Sequence, residues 1–249
     1  MRSPAWQWDK AMSTDKIQTL IFDTFGTLVD WRTSIIDDLS QWGVKNGVEA
    51  DWVALTDEWK TAYRPGMDAV NSGKRSWVPV RQIYREKLDE ILPKYGLSAV
   101  SQDDRHFINE VWYRLNAWPD TVPGLERLAK KYVLSSFSNS DFLGMALMSK
   151  HAALPFDAII TAENVKKFKP DPSMYEMAVE LMGQGDPERV MLVAAHNYDL
   201  AHARKHGMGT AFIARPTEYG PDQKTDLGAE EEWDIVVTSA EQLADALGC

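Results

Sequence analysis

Hydrophobic positions run along the chain in two rhythms. Residues 17–23 (IQTLIFD) form a short, β-prone apolar run closed by Gly26, which reads as a buried strand ending in a tight turn. Similar runs return only much later: YVLSS at 132–136, AIIT at 158–161, RVMLVAA at 189–195, TAFIA at 210–214 and DIVV at 234–237. Helical patterns around residues 141–151, 171–182, 198–206 and 239–247 lie between them. Strands and helices alternating at this pace predict a parallel sheet with helices on both faces.

Residues 32–118 break the alternation. They hold several long amphipathic patterns and no convincing strand, so they predict a helical insertion directly after the first strand. Six of the ten tryptophans fall inside it: Trp42, Trp52, Trp59, Trp77, Trp112 and Trp118. Most of these rings are expected to pack the helices together, with one or two left to line a cleft. The expected organisation is an N-terminal extension (1–15), an α/β core made of 16–31 and 119–249, and a helical cap at 32–118.

At 249 residues the chain is long enough for a core domain carrying a smaller inserted one. No apolar run approaches the ~20 residues that span a bilayer, so no membrane partner is expected. The first residues lack the continuous apolar stretch of a secretory signal, and a second methionine, Met12, marks them as an extension. The single cysteine, Cys249, excludes an intrachain disulfide or a thiolate metal site and fits a reducing, cytoplasmic setting. A formal charge of −10 would repel phosphate backbones, so nucleic acid is not expected as a partner. A small anionic substrate stays within reach, because a few cations in a cleft bind one whatever the global charge. The oligomeric state is left open, with a homodimer among the options.

In open parallel sheets ligands bind beyond the carboxyl ends of the strands, where connections diverge to opposite faces. The polar residues at those ends are the candidates for chemistry. Asp23 and Thr27 follow the first strand, Ser138 and Asn139 the second, Lys169 the third, and His196 and Asp199 the fourth. A nucleophile, hydroxyl and amide donors, a cation and a second acid would meet in one crevice. Lys166 and Lys167 read as solvated surface.

The stretch D-T-F-G-T-L-V-D at 23–30 resembles the first motif of the haloacid dehalogenase superfamily. Ser138-Asn139, Lys169-Pro170 and Asp199 resemble its second, third and fourth motifs, in order, on the proper strand ends. The resemblance covers nearly the whole chain, including a cap inserted after the first motif. It implies an α/β fold: a Rossmann-like, doubly wound parallel sheet core with an inserted helical cap domain. Most members of the superfamily resemble magnesium-dependent phosphatases with D-x-D-G-T, where the second aspartate protonates the leaving group. Here that place is Phe25, and Ala195 stands where a metal-binding acid is usual. Losing a proton donor and a metal carboxylate would cripple phosphoryl transfer.

The pattern D-x-aromatic-G-T is instead similar to the type II L-2-haloacid dehalogenases, which need no metal and no cofactor. A halide leaves as a stable anion, so an acid at position 25 has no task. The resemblance implies that Asp23 attacks C2 of a small haloacid and forms an aspartyl ester, which water then opens. Asp199 is the expected base, with His196, a departure from the asparagine common in relatives, able to share or orient the proton. Lys169 is expected to hold Asp23 ionised between two acids. Thr27, Ser138 and Asn139 would supply donors to the substrate carboxylate or the ester oxygens. Phe25 and Trp31 would shape a pocket for short acids, and Tyr175 matches a tyrosine of similar dehalogenases. Relatives carry Trp-Arg in the cap to receive the halide; here Trp59-Lys60 stands there, with Arg64 one helical turn on and Pro65 expected to kink that helix. The rival reading is a magnesium-dependent phosphatase or phosphonate hydrolase of the same superfamily. The sequence does not choose the halogen, and fluoroacetate stays among the candidate substrates.

Overall fold

The structure, a computed structural model, describes residues 14–249. The expected N-terminal extension lies outside the described residues except for Thr14 and Asp15, which open a single 3-10 turn (Thr14–Lys16). Six parallel strands form the core sheet: β1 (Thr19–Phe22), β4 (Val133–Ser138), β5 (Ala158–Thr161), β6 (Val190–Ala194), β7 (Gly209–Ile213) and β8 (Ile235–Val237). Their spatial order is β5-β4-β1-β6-β7-β8. All four side chains of β1 are buried, as suits a strand hydrogen-bonded on both edges and covered on both faces. After β5 the chain crosses back over β1 to lay down β6, so connections diverge on either side of β1. Its carboxyl end is the switch point, and Asp23 is the first residue beyond it.

The flanking core helices are α6 (Thr121–Leu128), α7 (Phe142–His151), α8 (Pro172–Gly183), α9 (Asn197–Lys205) and α10 (Ala240–Ala246). Their starts are written in the sequence. Asp141, Asp171 and Ser239 each cap a helix by accepting a backbone N–H in its first turn, and Pro172 occupies a position where its missing N–H costs nothing.

Between β1 and β4 the chain leaves the core through a short strand, β2 (Val29–Asp30), and returns antiparallel to it through β3 (Asn116–Ala117). The inserted segment was expected to contain no strand, and β3 corrects that; two residues are too few to show a period. Between the two strands lie α1 (Trp31–Asn46), α2 (Trp52–Lys60), α3 (Tyr63–Asn71), α4 (Val80–Ile91) and α5 (Gln102–Asn109). Pro65 does not kink a continuous helix. The chain turns at Thr61 and Ala62, and Pro65 falls in the first turn of α3, where backbone N–H groups have no intrahelical partner. Lys60 and Arg64 therefore sit on successive helices rather than one turn apart on the same face.

The cap is tied to the core beside the third motif. Asn71 Nδ2 donates to the Phe168 carbonyl at 2.8 Å, and the Phe168 N–H donates back to Asn71 Oδ1 at 2.9 Å. Lys167 is not a free surface charge: its ammonium donates to the Asn71 carbonyl at 2.9 Å. Trp77 packs on Phe168 with ring centres 4.9 Å apart. No helix among the described residues is long and apolar enough to cross a membrane.

Candidate active site

The turn after β1 is held from several sides. The Gly26 N–H donates to the Val29 carbonyl, Trp118 Nε1 donates to the Gly26 carbonyl, and Arg215 Nε donates to the Thr27 carbonyl. Gly26 has φ +81°, and a Cβ there would meet the Glu218 carboxylate at 2.1 Å. Only glycine suits both demands. The result is a rigid mount for Asp23.

Asp23 is buried and receives three side-chain donors. Lys169 Nζ donates to its Oδ1 at 2.8 Å, while Thr27 Oγ1 at 2.6 Å and His196 Nδ1 at 2.9 Å face its Oδ2. Thr27 is itself fixed by the Ala195 N–H, which donates to its Oγ1 at 2.9 Å. Burial would raise the Asp23 carboxyl, but the charges of Lys169 and His196 outweigh it and hold the group well below the usual carboxylate range. Lys169 is buried too, and its ammonium also donates to Asp199 Oδ2. Burial would lower that ammonium, yet Asp199 and Asp23 together raise it above its ordinary value. The Lys169 ammonium and the Asp23 carboxylate are thus both charged at neutral pH.

Above Asp23 lies a cavity of about 210 Å³, lined by Phe25, Lys60, Tyr63, Arg64, His196, Tyr198, Glu218 and Tyr219. The cap contributes its cation. Lys60 Nζ stands 4.1 Å from the centre of the Tyr63 ring, 4.8 Å from Trp31 and 5.6 Å from Trp112. Burial pushes this ammonium down to about 8, against the pull of Glu218 and Asp23. Arg64 lies at the exposed mouth, paired with Asp68 and placed over the Tyr198 ring.

The family model for the haloacid dehalogenase-like hydrolases matches residues 17–207. The chain belongs to that family. Among curated relatives of these hydrolases it is 26% identical over 215 residues to (S)-2-haloacid dehalogenase 4A of Burkholderia cepacia, covering 82% of this chain and 87% of the other. The crystal structure of an L-2-haloacid dehalogenase superposes with a TM-score of 0.90 at 40% identity, covering 93% of this chain and 99% of that one. That of a defluorinating L-2-haloacid dehalogenase gives 0.89 at 38% identity, covering 94% and 96%.

In this haloacid dehalogenase-like hydrolase not every expected residue reaches the cavity. Ser138 is fully buried and its Oγ accepts the Ser140 N–H at 3.2 Å. Asn139 is spent on the protein: its Oδ1 accepts the Lys169 N–H at 2.6 Å and its Nδ2 donates to the Tyr63 hydroxyl at 3.2 Å. Both were expected to face the substrate; Ser138 holds the Ser140 N–H instead, and Asn139 holds Lys169 and Tyr63. Asp199 has no exposed surface, with Tyr175 donating its hydroxyl at 2.6 Å to the oxygen that Lys169 leaves free. Trp31 forms the wall behind Lys60 and donates Nε1 to Glu218 Oε1 at 3.1 Å. Phe25 lies edge-on to Trp112, with ring centres 6.1 Å apart.

Glu218 was missed altogether, as were Tyr63, Tyr198 and Tyr219. Glu218 is buried, and both its oxygens face His196 Nε2, at 3.2 and 3.0 Å. The signal was available. The strand-end rule that picked out Asp23, Ser138, Lys169 and His196, applied to the loop after the fifth core strand, finds Arg215, Thr217 and Glu218.

Proposed function

We propose that the protein hydrolyses short 2-haloacids, haloacetates and L-2-haloacids, to halide and 2-hydroxyacid through an ester on Asp23. The observation that carries this reading is the opposition across one small cavity of an ionised carboxylate and an ammonium enclosed by aromatic rings. Asp23 attacks C2; the carbon–oxygen bond forms as the carbon–halogen bond breaks, and the halide departs toward Lys60. Chloride and bromide are large and weakly hydrated compared with a carboxylate, so the apolar cage around Lys60 suits them. The solvated Arg64 at the mouth suits the substrate carboxylate. One in-line displacement inverts C2, so an L-2-haloacid yields the D-hydroxyacid. Water then opens the ester. A cavity of about 210 Å³ fits two- to four-carbon acids.

The residues do not suit a magnesium ion or a phosphatase. Lys169 Nζ occupies the space between Asp23 and Asp199, and Phe25 and Ala195 offer neither a proton donor nor a metal carboxylate. The reading is of a metal-independent, cytoplasmic enzyme. Halide release from chloroacetate, fluoroacetate and both enantiomers of 2-chloropropionate tests it, with and without dialysis against EDTA. Release from the L-enantiomer, unchanged by EDTA, is the expected result. No halide from any of the four, or a loss restored by magnesium, returns the phosphatase reading.

Lys60 makes a separate prediction. Its ammonium, pushed down to about 8, must be protonated to receive the departing halide, so kcat/KM should fall as pH climbs past that value, by about tenfold per unit while displacement depends on this one charge. Lys60→Arg, whose guanidinium stays charged, should keep kcat/KM flat to about pH 10. A wild-type kcat/KM that does not change between pH 7 and 10 removes Lys60 as the halide-receiving cation.

A further inference from the structure

Two carboxylates compete for the role of base in opening the ester, and they differ in what they touch. Asp199 is enclosed: one oxygen is held by Lys169 and the other by Tyr175, and neither reaches the cavity. Its charge serves to balance Lys169. His196 lines the cavity beside Asp23, with Nδ1 against Asp23 Oδ2 and Nε2 against both oxygens of Glu218. Glu218 is 1% exposed, and a carboxylate removed from water is costly unless partnered. Its place is prepared from three directions: the missing side chain of Gly26, the indole N–H of Trp31, and His196.

We infer that Glu218, acting through His196, is the positioning carboxylate of ester hydrolysis, with His196 rather than Asp199 taking the proton from water. The inference rests on the aspartyl-ester reading above. In the resting enzyme His196 lies between two carboxylates, and although burial would lower it, Glu218 and Asp23 raise it well above its ordinary value. It therefore starts as the imidazolium. Esterification cancels the charge on Asp23, and the imidazolium releases its Nδ1 proton through the cavity to solvent. Neutral His196 keeps Nε2–H on Glu218. Water then bonds to Asp23 Cγ while one of its protons passes to His196 Nδ1. The Cγ–O bond to the substrate oxygen breaks, and His196 returns the proton to that oxygen, giving the hydroxyacid. The second water proton remains on the Asp23 carboxyl and passes to His196, restoring the resting state. The balance is one haloacid and one water giving one hydroxyacid, one halide and one proton. The other groups facing His196 and Glu218 are Lys60, Tyr63, Tyr198 and Tyr219.

Rapid quench with chloroacetate, reading halide and the mass of the Asp23 peptide, separates the two bases. Glu218→Gln keeps the shape, so the first-turnover halide burst should stay within about threefold of wild type. Steady-state turnover should fall about 10²-fold with the Asp23 ester accumulating. Glu218→Asp, which keeps the charge, should recover part of the turnover and the wild-type form of the pH profile. Asp199→Asn should instead slow the burst, because Lys169 and Asp23 lose their balance. A Glu218→Gln enzyme with wild-type turnover, or one that is slowed without ester while Asp199→Asn accumulates it, overturns the inference. Absence of any halide release by the wild-type enzyme, in the first turnover or after it, overturns the dehalogenase reading itself, and this inference with it.

Discussion

Asp23→Asn should release no halide above background, a loss of at least about 10⁴-fold, while melting close to the wild-type temperature. The amide keeps the shape of the carboxylate and its one oxygen can still accept from Lys169 on the Oδ1 side, so with folding intact the loss reports the missing anionic nucleophile rather than a collapsed site. A mutation alone does not distinguish a carboxylate that attacks carbon from one that activates water. Isotope placement does. In a single turnover with excess enzyme in heavy-oxygen water, the first hydroxyacid should carry unlabelled oxygen taken from Asp23, and the peptide containing Asp23 should gain the label. Later turnovers should label the product. Labelled product in the first turnover, with none entering Asp23, would mean that water attacks C2 directly.

Much of the core was legible because its signals are local. Each core strand is a short apolar run bounded by polar or turn residues, and of the four core helices read from the pattern, α7, α8 and α10 carry side-chain caps at their starts. Helix α6 escaped notice because its Val122-Pro123-Gly124 segment reads as a breaker. In the fold the proline falls in the first turn, and Gly124 is needed where α6 presses on Ala240 of α10. The break between α2 and α3 was hidden for the opposite reason. Apolar periodicity runs through residues 55–70, and nothing local marks Thr61 as an end.

The site was legible where residues lie in the segments that leave the carboxyl ends of β1, β5 and β6. Asp23, Lys169, His196 and Asp199 are brought together by sheet order, which the strand-end rule anticipates. Whether such a residue faces substrate or protein depends on partners distant in sequence. Ser138 and Asn139 turn inward because Ser140, Lys169 and Tyr63 satisfy them. The aromatic enclosure of Lys60 draws on Trp31, Tyr63 and Trp112, whose rings converge from three different elements. No spacing within the chain encodes that convergence.

The same long-range logic makes Lys169 the most demanding position to replace. Its ammonium lies between Asp23 and Asp199, and both carboxylates are buried with it. Lys169→Met keeps the stem and removes the charge, which leaves two like charges facing each other in a low-dielectric site. Both carboxyls then rise, and the pair holds a proton at neutral pH. The nucleophile is neutral for much of the time, so kcat/KM at pH 7 should fall by about 10³-fold. It should recover as pH increases and the shared proton is lost, giving an acid limb at a pH where the wild type, with Asp23 held low, is flat. Stability should fall by about 3–5 kcal/mol, the usual consequence of breaking a buried pair from one side. The sign with pH follows from Asp23. In the wild type its depressed carboxyl contributes stability above the unfolded carboxylate range near ~3.9, lost as pH drops through the folded value. In Lys169→Met the raised pair reverses this, so the variant's deficit should shrink on mild acidification as the carboxyls protonate. Thermal melts and kcat/KM profiles of both proteins from pH 4 to 9 check the two trends together. A variant with wild-type activity at pH 7 and an unchanged acid limb would mean that Asp23 stays ionised without Lys169, and that the cation serves only to fill space between the acids.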